Sequence, residues 1–329
     1  MKPDLTISLI NHSNPELLRD CLASLESATH ATSLDVRIVD NATDGRMVDE
    51  IRAQFPKTNW SVNRKRLGFS ANHNQILATG QGRYICILND DTIIHDGAMD
   101  ELVRFMDAHP RVGMAGPRTL NPDGSIQNSV FRDKTPLSEL IEILQLPGKL
   151  NRLKVRGIDN AQFGDQSARV DWVLGACIIV RKETLQQIGL LDDRLFAYYE
   201  DTDYSIRCIL AGFRNRIRFD TELYHRGKPL VREPHAYYYM NRNAILLWRK
   251  VAGRRGKRRA IADVAHRALR DVERFGKDHP RQAEAALAGL WDGLLGRTGQ
   301  YMPTRRMPRP MELMLRARPT LFRKMLDHI

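Results

Sequence analysis

The sequence predicts an α/β protein: a Rossmann-like, mostly parallel mixed sheet flanked by helices and followed by a basic helical extension. Three observations carry this reading. Short apolar runs alternate with helix-patterned segments through the first half of the chain, which is the signature of βαβ units. One run, Tyr84-Ile85-Cys86-Ile87-Leu88, breaks directly into Asn89-Asp90-Asp91, the form of a strand buried on both faces with an acidic carboxyl end. The charge is also divided. Of a formal +12 over 329 residues, residues 1–241 hold 30 Lys and Arg against 31 Asp and Glu, whereas residues 242–329 hold 21 against 8.

Taken in order, Leu5–Ile10 is a first strand. Asn14 is an N-cap ahead of Pro15, and Leu17, Leu18, Cys21, Leu22 and Leu25 follow at helical spacing. Val36–Asp40 is a second strand, Met47–Phe55 a helix and Trp60–Val62 a third strand. Gly68-Phe69-Ser70 opens a helix to about Ala78 that Gly80 ends. After the Tyr84–Leu88 strand, Gly97–His109 reads as a helix stopped by Pro110, and Val112–Gly116 as a strand. Residues 121–168 are weakly patterned, with a short apolar helix around Leu137–Leu146, and read as a mobile excursion over the site. Val170–Val180 reads as one buried strand with a glycine bend. Lys182–Ile188 is a helix closed by Gly189, a further helix ends at Gly212, and Asn215–Phe219 is a strand.

Composition bounds the function. Apolar content of 42% and charged content of 27% are those of a soluble globular chain. No apolar run is long enough to span a bilayer, and Met1-Lys2-Pro3-Asp4 leads straight into a strand, so neither a transmembrane helix nor a secretory signal is expected. Cys21, Cys86, Cys177 and Cys208 are dispersed without metal-binding spacing and read as core residues in a reducing compartment. The dinucleotide fingerprint and the P-loop are both missing. A diphosphate on this sheet would therefore need a metal, and Asn89–Asp91 sits where ligands bind in open α/β sheets. Adjacent carboxylates repel unless a cation lies between them. An acidic turn closing a strand is the competing reading. Phe196–Tyr199 then leads into Glu200, Asp201 and Asp203, three carboxylates within four residues. Helix capping explains one or two of these better than three.

Together these motifs resemble the inverting family 2 glycosyltransferases of GT-A fold, especially their rhamnosyltransferase-like branch, over roughly residues 4–250. The resemblance implies a GT-A catalytic domain over 1–230, with a nucleotide-sugar half to about 118 and an acceptor half from about 165, and a basic extension over 231–329. It implies donor contacts from Asp40 and Asn41, from Gly68, Phe69 and Asn74, and from Asn89 and Asp90, with Asn11 and Arg66 beside them. It implies metal ligation, by Mg²⁺ or Mn²⁺, at Asp91 and His225. The acceptor side falls to Trp172, Gly175, Ala176, Glu200 and Asp203, and the catalytic base to Asp201. Asn89 is a neutral residue at the first position of the metal motif, and Arg66 stands where the family more often has Asn. Both departures bear on the diphosphate and metal contacts.

The partners implied are a nucleotide sugar, with dTDP-rhamnose, UDP-hexoses and GDP-sugars open, and a saccharide or polyprenyl-diphosphate-linked acceptor at the cytoplasmic membrane face. Tyr237–Lys250 and Met311–Leu326 read as basic amphipathic segments with aromatic anchors for an anionic membrane, or equally as a packed helical subdomain. Two other classes compete: a nucleotidyltransferase, whose glycine-rich basic loop is absent at Asn11–Pro15, and a nucleic-acid-binding protein, for which no zinc spacing or helix-turn-helix pattern appears.

Overall fold

In a computed structural model of the chain, the described residues are 2–12, 14–41, 45–127, 130–131, 167–226, 232–252, 254–275 and 278–317. The expected helix at Leu137–Leu146, most of the expected excursion and the end of the tail lie outside them. The chain forms two units. Of the described residues, the first takes 2–131, 167–192 and 200–226, and the second takes 193–199 and 232–317.

Among the described residues, the first unit is built on a sheet of nine strands. Strands β1 (Leu5–Asn11), β2 (Leu34–Asp40), β3 (Asn59–Val62) and β4 (Tyr84–Leu88) run parallel in the order β3-β2-β1-β4, joined by helices α1 (Pro15–Ser27), α2 (Gly45–Gln54) and α3 (Phe69–Leu77). The expected cap forms: Asn14 accepts the Leu17 N–H through its side chain at 3.3 Å. β4 is buried on both faces, as its uninterrupted apolar run requires. Tyr84, Cys86 and Leu88 enter one core with Leu5, Ile7 and Leu9, while Ile85 and Ile87 enter the other.

Beyond β4 the sheet becomes mixed. β5 (Thr92–Ile94) precedes helix α4 (Ala98–Ala108), and β6 (Val112–Leu120) follows it. The Val170–Val180 run is not one bent strand. It divides into β8 (Ser167–Val170), β9 (Trp172–Val173) and β10 (Cys177–Arg181), because each piece pairs with a different neighbour: β8 with β11 (Arg214–His225), β9 with β7 (Val130–Phe131), and β10 with β4 and β6. β11 is also far longer than the expected Asn215–Phe219 strand. A register shift between Arg218 and Glu222 lets it continue to His225. Helices α5 (Lys182–Ile188) and α6 (Glu200–Leu210) are followed by Gly189 and Gly212, whose φ values of 77° and 89° suit glycine. All four cysteines are free and buried.

The second unit contains helices α7 (Pro234–Val251), α8 (Arg254–Phe275), α9 (Pro280–Leu294) and α10 (Arg309–Ala317). Here the expected aromatic membrane anchors are corrected. Tyr237, Tyr238, Tyr239 and Trp248 of α7 are all buried within the unit. Small residues on α9 let the two helices approach: a Cβ on Gly289 would come within 2.2 Å of the Tyr238 carbonyl oxygen. An aromatic stripe beside basic residues suits an interfacial helix and a buried one alike, and the Ala and Gly face of α9 decides between them.

One buried group in the first unit makes stability depend on pH. His73 on α3 is fully buried, with Nδ1 2.7 Å from the Ser8 hydroxyl and its ring edge-on to Phe69. Burial holds its pKa down at about 3 from the ordinary 6.5. The unfolded chain therefore takes up a proton that the native chain refuses. The stability this supplies is complete above pH 6.5 and is lost as pH falls toward 3, by up to about 1.4 kcal/mol per pH unit. Urea unfolding at pH 7 and pH 5 is expected to show a smaller loss in His73→Asn than in the wild type. Equal losses would locate the acid sensitivity elsewhere.

Candidate active site

The four parallel strands end on one edge, and their carboxyl ends carry the polar residues. At the ends of β1 and β2, Asn11 and Asp40 are register partners, and the Asn11 amide donates to Asp40 Oδ1 at 2.9 Å with both side chains buried. Asn41 spans the loop opposite: it accepts from the Leu67 N–H at 2.8 Å and donates to the Leu67 carbonyl at 3.1 Å. Asn72 donates to the Gly68 carbonyl at 3.0 Å, and Asn63 ties Asn72 to Asn41. Three asparagine amides thus set the Leu67–Gly68 turn that starts α3, with Phe69 in its first turn and Arg66 exposed before it. Asn74 does not turn its amide to an open pocket. Both of its polar atoms engage the Leu191 backbone, at 2.9 Å each.

At the end of β4 the Thr92 hydroxyl donates to the Asn89 carbonyl at 2.8 Å and closes a tight turn. β5 then pairs with β11 so that Thr92 faces His225, and the Arg226 N–H donates to the Asp91 carbonyl at 3.0 Å. This pairing brings His225 Nε2 to 3.3 Å from Asp91 Oδ1 across 134 residues of sequence. Asp90 has its pKa pushed up to about 7, first by burial and then by the neighbouring Asp91 charge. Part of that shift is like-charge repulsion between paired acids, which a cation between them would relieve.

A polar relay fixes which nitrogen of His225 carries the proton. The Ser125 hydroxyl donates to Asp123, the Asn121 amide donates to Ser125 Oγ, and the Gln127 amide donates to Asn121 Oδ1. Gln127 is thereby left with its Oε1 toward His225 Nδ1, at 2.8 Å. An acceptor there requires Nδ1 to be the protonated nitrogen, so the neutral ring presents its Nε2 lone pair toward Asp91. A lone pair and a carboxylate oxygen at that separation fit a cation between them. Asp91 and His225 could therefore hold a divalent metal. Among the described residues no cluster of three or more His, Cys, Asp or Glu is poised to ligate one.

The acid cluster sorts by burial. Asp203 is wholly buried and paired with Arg207 Nε at 2.8 Å, and Glu200 is 7% exposed. Asp201 alone is half-buried. Its Oδ2 accepts the Gly175 N–H at 3.1 Å and its Oδ1 accepts the Thr202 N–H at 2.6 Å. The neighbouring Ala176 carbonyl accepts the Asn89 N–H at 3.0 Å. Gly175 and Ala176 therefore tie the acid cluster to the Asn89–Asp91 edge through their backbone. Trp172, on β9 just before this turn, is buried.

Sequence reasoning missed Asn63, Asn72, Thr92 and the Asn121–Gln127 relay. Asn72 lies on α3 between Gly68 and Asn74, where its spacing could have flagged it. Gln127 lies in a polar stretch whose pattern carries no signal.

A family model described as "Glycosyltransferase like family 2" matches residues 3–228. The chain is 25% identical over 243 residues to an N-acetylglucosaminyl-diphospho-decaprenol L-rhamnosyltransferase of Mycobacterium tuberculosis, covering 70% of this chain and 78% of the relative. It is 25% identical over 252 residues to the dTDP-rhamnosyl transferase RfbF of Shigella flexneri, covering 72% and 77%. Among solved structures it resembles the mannosyltransferase PcManGT of Pyrobaculum calidifontis, in complex with GDP-Man and Mn²⁺. The TM-score is 0.54 at 14% identity, over 90% of this chain and 88% of the other, a likeness of fold.

The relay yields a test. Groups that orient a ligating histidine typically change metal affinity by about 10–100-fold when removed. Mn²⁺ affinity, read from the electron-spin signal of the free ion, is expected to fall by that order in Gln127→Leu. It should be retained in Gln127→Glu, which keeps an acceptor on Nδ1. Wild-type affinity in the leucine variant would mean that Gln127 does not govern His225.

Proposed function

The chain belongs to glycosyltransferase-like family 2, and from that premise we propose that it transfers rhamnose from a dTDP-linked donor to a lipid-linked saccharide. It is an inverting nucleotide-sugar glycosyltransferase with the GT-A fold; nucleotidyl transfer and nucleic-acid binding fall away. The rhamnosyltransferase relatives support the choice of donor sugar, and the decaprenol-linked acceptor of one of them supports the choice of acceptor.

The reading of the mechanism rests on one observation above the rest: Asp201 alone of the three clustered acids is not buried, and it shares the Gly175–Ala176 turn with the metal edge. Asp40, oriented by Asn11, receives the nucleoside. The Leu67–Gly68 turn and Phe69 wall the donor, with Arg66 reaching its phosphates. Asn41 and Asn74 act at one remove, by holding the backbone that shapes this wall. Asp91 and His225 would hold Mg²⁺ or Mn²⁺, which when bound supplies Lewis-acid stabilisation of the departing diphosphate. Asn89 and Asp90 flank that position. Asp201 accepts the proton of the acceptor hydroxyl as its oxygen bonds to the anomeric carbon. The bond from that carbon to the diphosphate breaks on the opposite face, and the nucleoside diphosphate leaves with the electron pair. Gly175 and Thr202 hold the carboxylate in place through their N–H groups. Trp172 and Ala176 shape the acceptor side, Glu200 backs it, and Asp203 secures α6 through Arg207.

A lipid-linked acceptor would bring the enzyme to the cytoplasmic membrane surface. Among the described residues no helix is long and apolar enough to cross a membrane. The Lys and Arg excess of residues 242–329 supplies the attraction, at about 1 kcal/mol for each residue near an anionic surface. The full chain is expected to co-sediment with phosphatidylglycerol vesicles at low salt and to release at high salt. Absence of binding at low salt would remove the membrane from the proposal.

The base is tested by substitution. Asp201→Asn is expected to lower turnover by roughly 10²–10⁴-fold while leaving donor affinity, measured by calorimetry with Mn²⁺, unchanged. Asp203→Asn is expected to lower the melting temperature instead, since it leaves Arg207 without its buried partner. An Asp201→Asn enzyme with near-normal turnover would reject the assignment.

A further inference from the structure

Helix α1 does more than cover one face of the sheet. Its Asn14 cap starts it, and Leu18, Cys21, Leu22 and Leu25 seat it in one core with Leu5, Ile7 and Leu9 of β1. Cys21 and Ser24 stand three residues apart, on one side of a helix. Both reach β5, the short strand that carries the chain from the Asn89–Asp91 turn into its pairing with β11.

The helix holds β5 at both ends. At its start, Thr92 is fully buried, and its hydroxyl donates to the Asn89 carbonyl at 2.8 Å. Cys21 Sγ lies 3.5 Å from Thr92 Oγ1 and 3.7 Å from the Asn89 carbonyl oxygen, so its S–H finds an acceptor in the same turn. At the other end, the Ile94 N–H donates to Ser24 Oγ at 3.0 Å. The Ser24 hydroxyl gives its hydrogen to the Cys21 carbonyl at 2.8 Å, which leaves its oxygen as the acceptor for Ile94. Asp90 and Asp91 are the two residues spanned by the bond from Thr92 to Asn89. Both candidate metal ligands are therefore placed by β5: Asp91 precedes it, and His225 is the register partner of its first residue.

We propose that Thr92 and Ser24 are positioning residues for the Asp91–His225 metal site: they fix β5 on α1 so that the Asp91 carboxylate and the His225 imidazole meet at a set separation. This rests on the reading of Asp91 and His225 as the metal's ligands. Every part of the device lies in the first unit. Neither hydroxyl touches metal or substrate; each acts through the backbone from which a ligand leaves.

A turn that served stability alone would lower the melting temperature when loosened and leave metal binding unchanged, so affinity is the deciding readout. The probe is Mn²⁺ alone, titrated against the full chain and read from the electron-spin signal of the free ion. Thr92→Val keeps the size and branching of the side chain and removes its hydroxyl. It is expected to weaken Mn²⁺ binding by about 10-fold, the lower end of what groups behind a metal ligand cost. Thr92→Ser keeps the hydroxyl and is expected to bind Mn²⁺ like the wild type. Ser24→Ala takes the acceptor from Ile94 and is expected to weaken binding as well. Asp91→Asn separates the two ways of failing. If it binds Mn²⁺ like the wild type, the metal assignment falls and takes the positioning role with it. If it loses Mn²⁺ while Thr92→Val keeps wild-type affinity, the metal assignment stands and the positioning role is overturned. Equal losses in Thr92→Val and Thr92→Ser overturn it too, by tracing the effect to the methyl group and not the hydroxyl. Should Thr92→Val not fold, Ser24→Ala decides, and wild-type affinity there rejects the proposal.

Discussion

In the proposed mechanism, two backbone groups on neighbouring residues set the distance on which the chemistry depends. The Gly175 N–H holds the Asp201 carboxylate, and the Ala176 carbonyl holds the Asn89 N–H. A displacement reaction needs its proton acceptor and its leaving-group stabiliser on opposite sides of one carbon, at a fixed separation. Flexible side chains alone would not set that separation. Here it is set by a turn whose next residue enters β10, and β10 is paired antiparallel to β4 with Cys177 opposite Leu88. The site therefore inherits the rigidity of the centre of the sheet. Small residues suit the turn because its task is done by N–H and C=O groups. A Cβ on Gly175 would meet the Asp201 side chain at ordinary contact distance, which leaves little room for anything larger.

The same logic separates what the sequence reveals from what it conceals. An apolar run that breaks into acids is visible, because burial on both faces and an acidic edge each leave a compositional mark. The Asn14 cap and the glycines after α5 and α6 are visible for a similar reason: each is a local solution to a local backbone problem. The pairing of Asp91 with His225 becomes geometry only through the β5–β11 ladder, and β5 is three residues long. Gln127 lies 98 residues before His225 and acts through its orientation, which depends on Asn121 and Ser125. No residue pattern encodes an amide's orientation. Likewise Glu200, Asp201 and Asp203 are told apart in the sequence only by the family resemblance, and it is the structure that shows their unequal burial.

The tyrosines of α7 teach a related point. Tyr237-Tyr238-Tyr239 next to Arg and Lys is the composition of an interfacial helix, yet these rings fill a protein interior. What excludes the membrane role for them is elsewhere in the chain, in Ala285, Ala288 and Gly289 on α9. Burying the tyrosines also surrounds Arg242 with aromatic faces and carbonyl dipoles. Burial presses the Arg242 pKa down from its ordinary value, while Tyr238, Tyr239 and the buried Asp292 oppose that shift. Asp292 in turn accepts from the Tyr238 hydroxyl at 2.7 Å and pairs with Arg305 and Arg297.

A cation taken out of water must recover its hydrogen bonds from the protein, and the carbonyls that serve it best are those not already committed to a helix or a sheet. The strap at 193–199 provides one at Leu195, and Gly299 provides another. Each left-handed residue of that strap (Phe196, Tyr198 and Tyr199) costs about 1–3 kcal/mol by itself, and each unpaired buried donor of Arg242 or Asn243 would cost a comparable amount. The strained backbone and the buried polar pair each supply what the other lacks. Each therefore offsets a cost of the other, and both lie within the second unit.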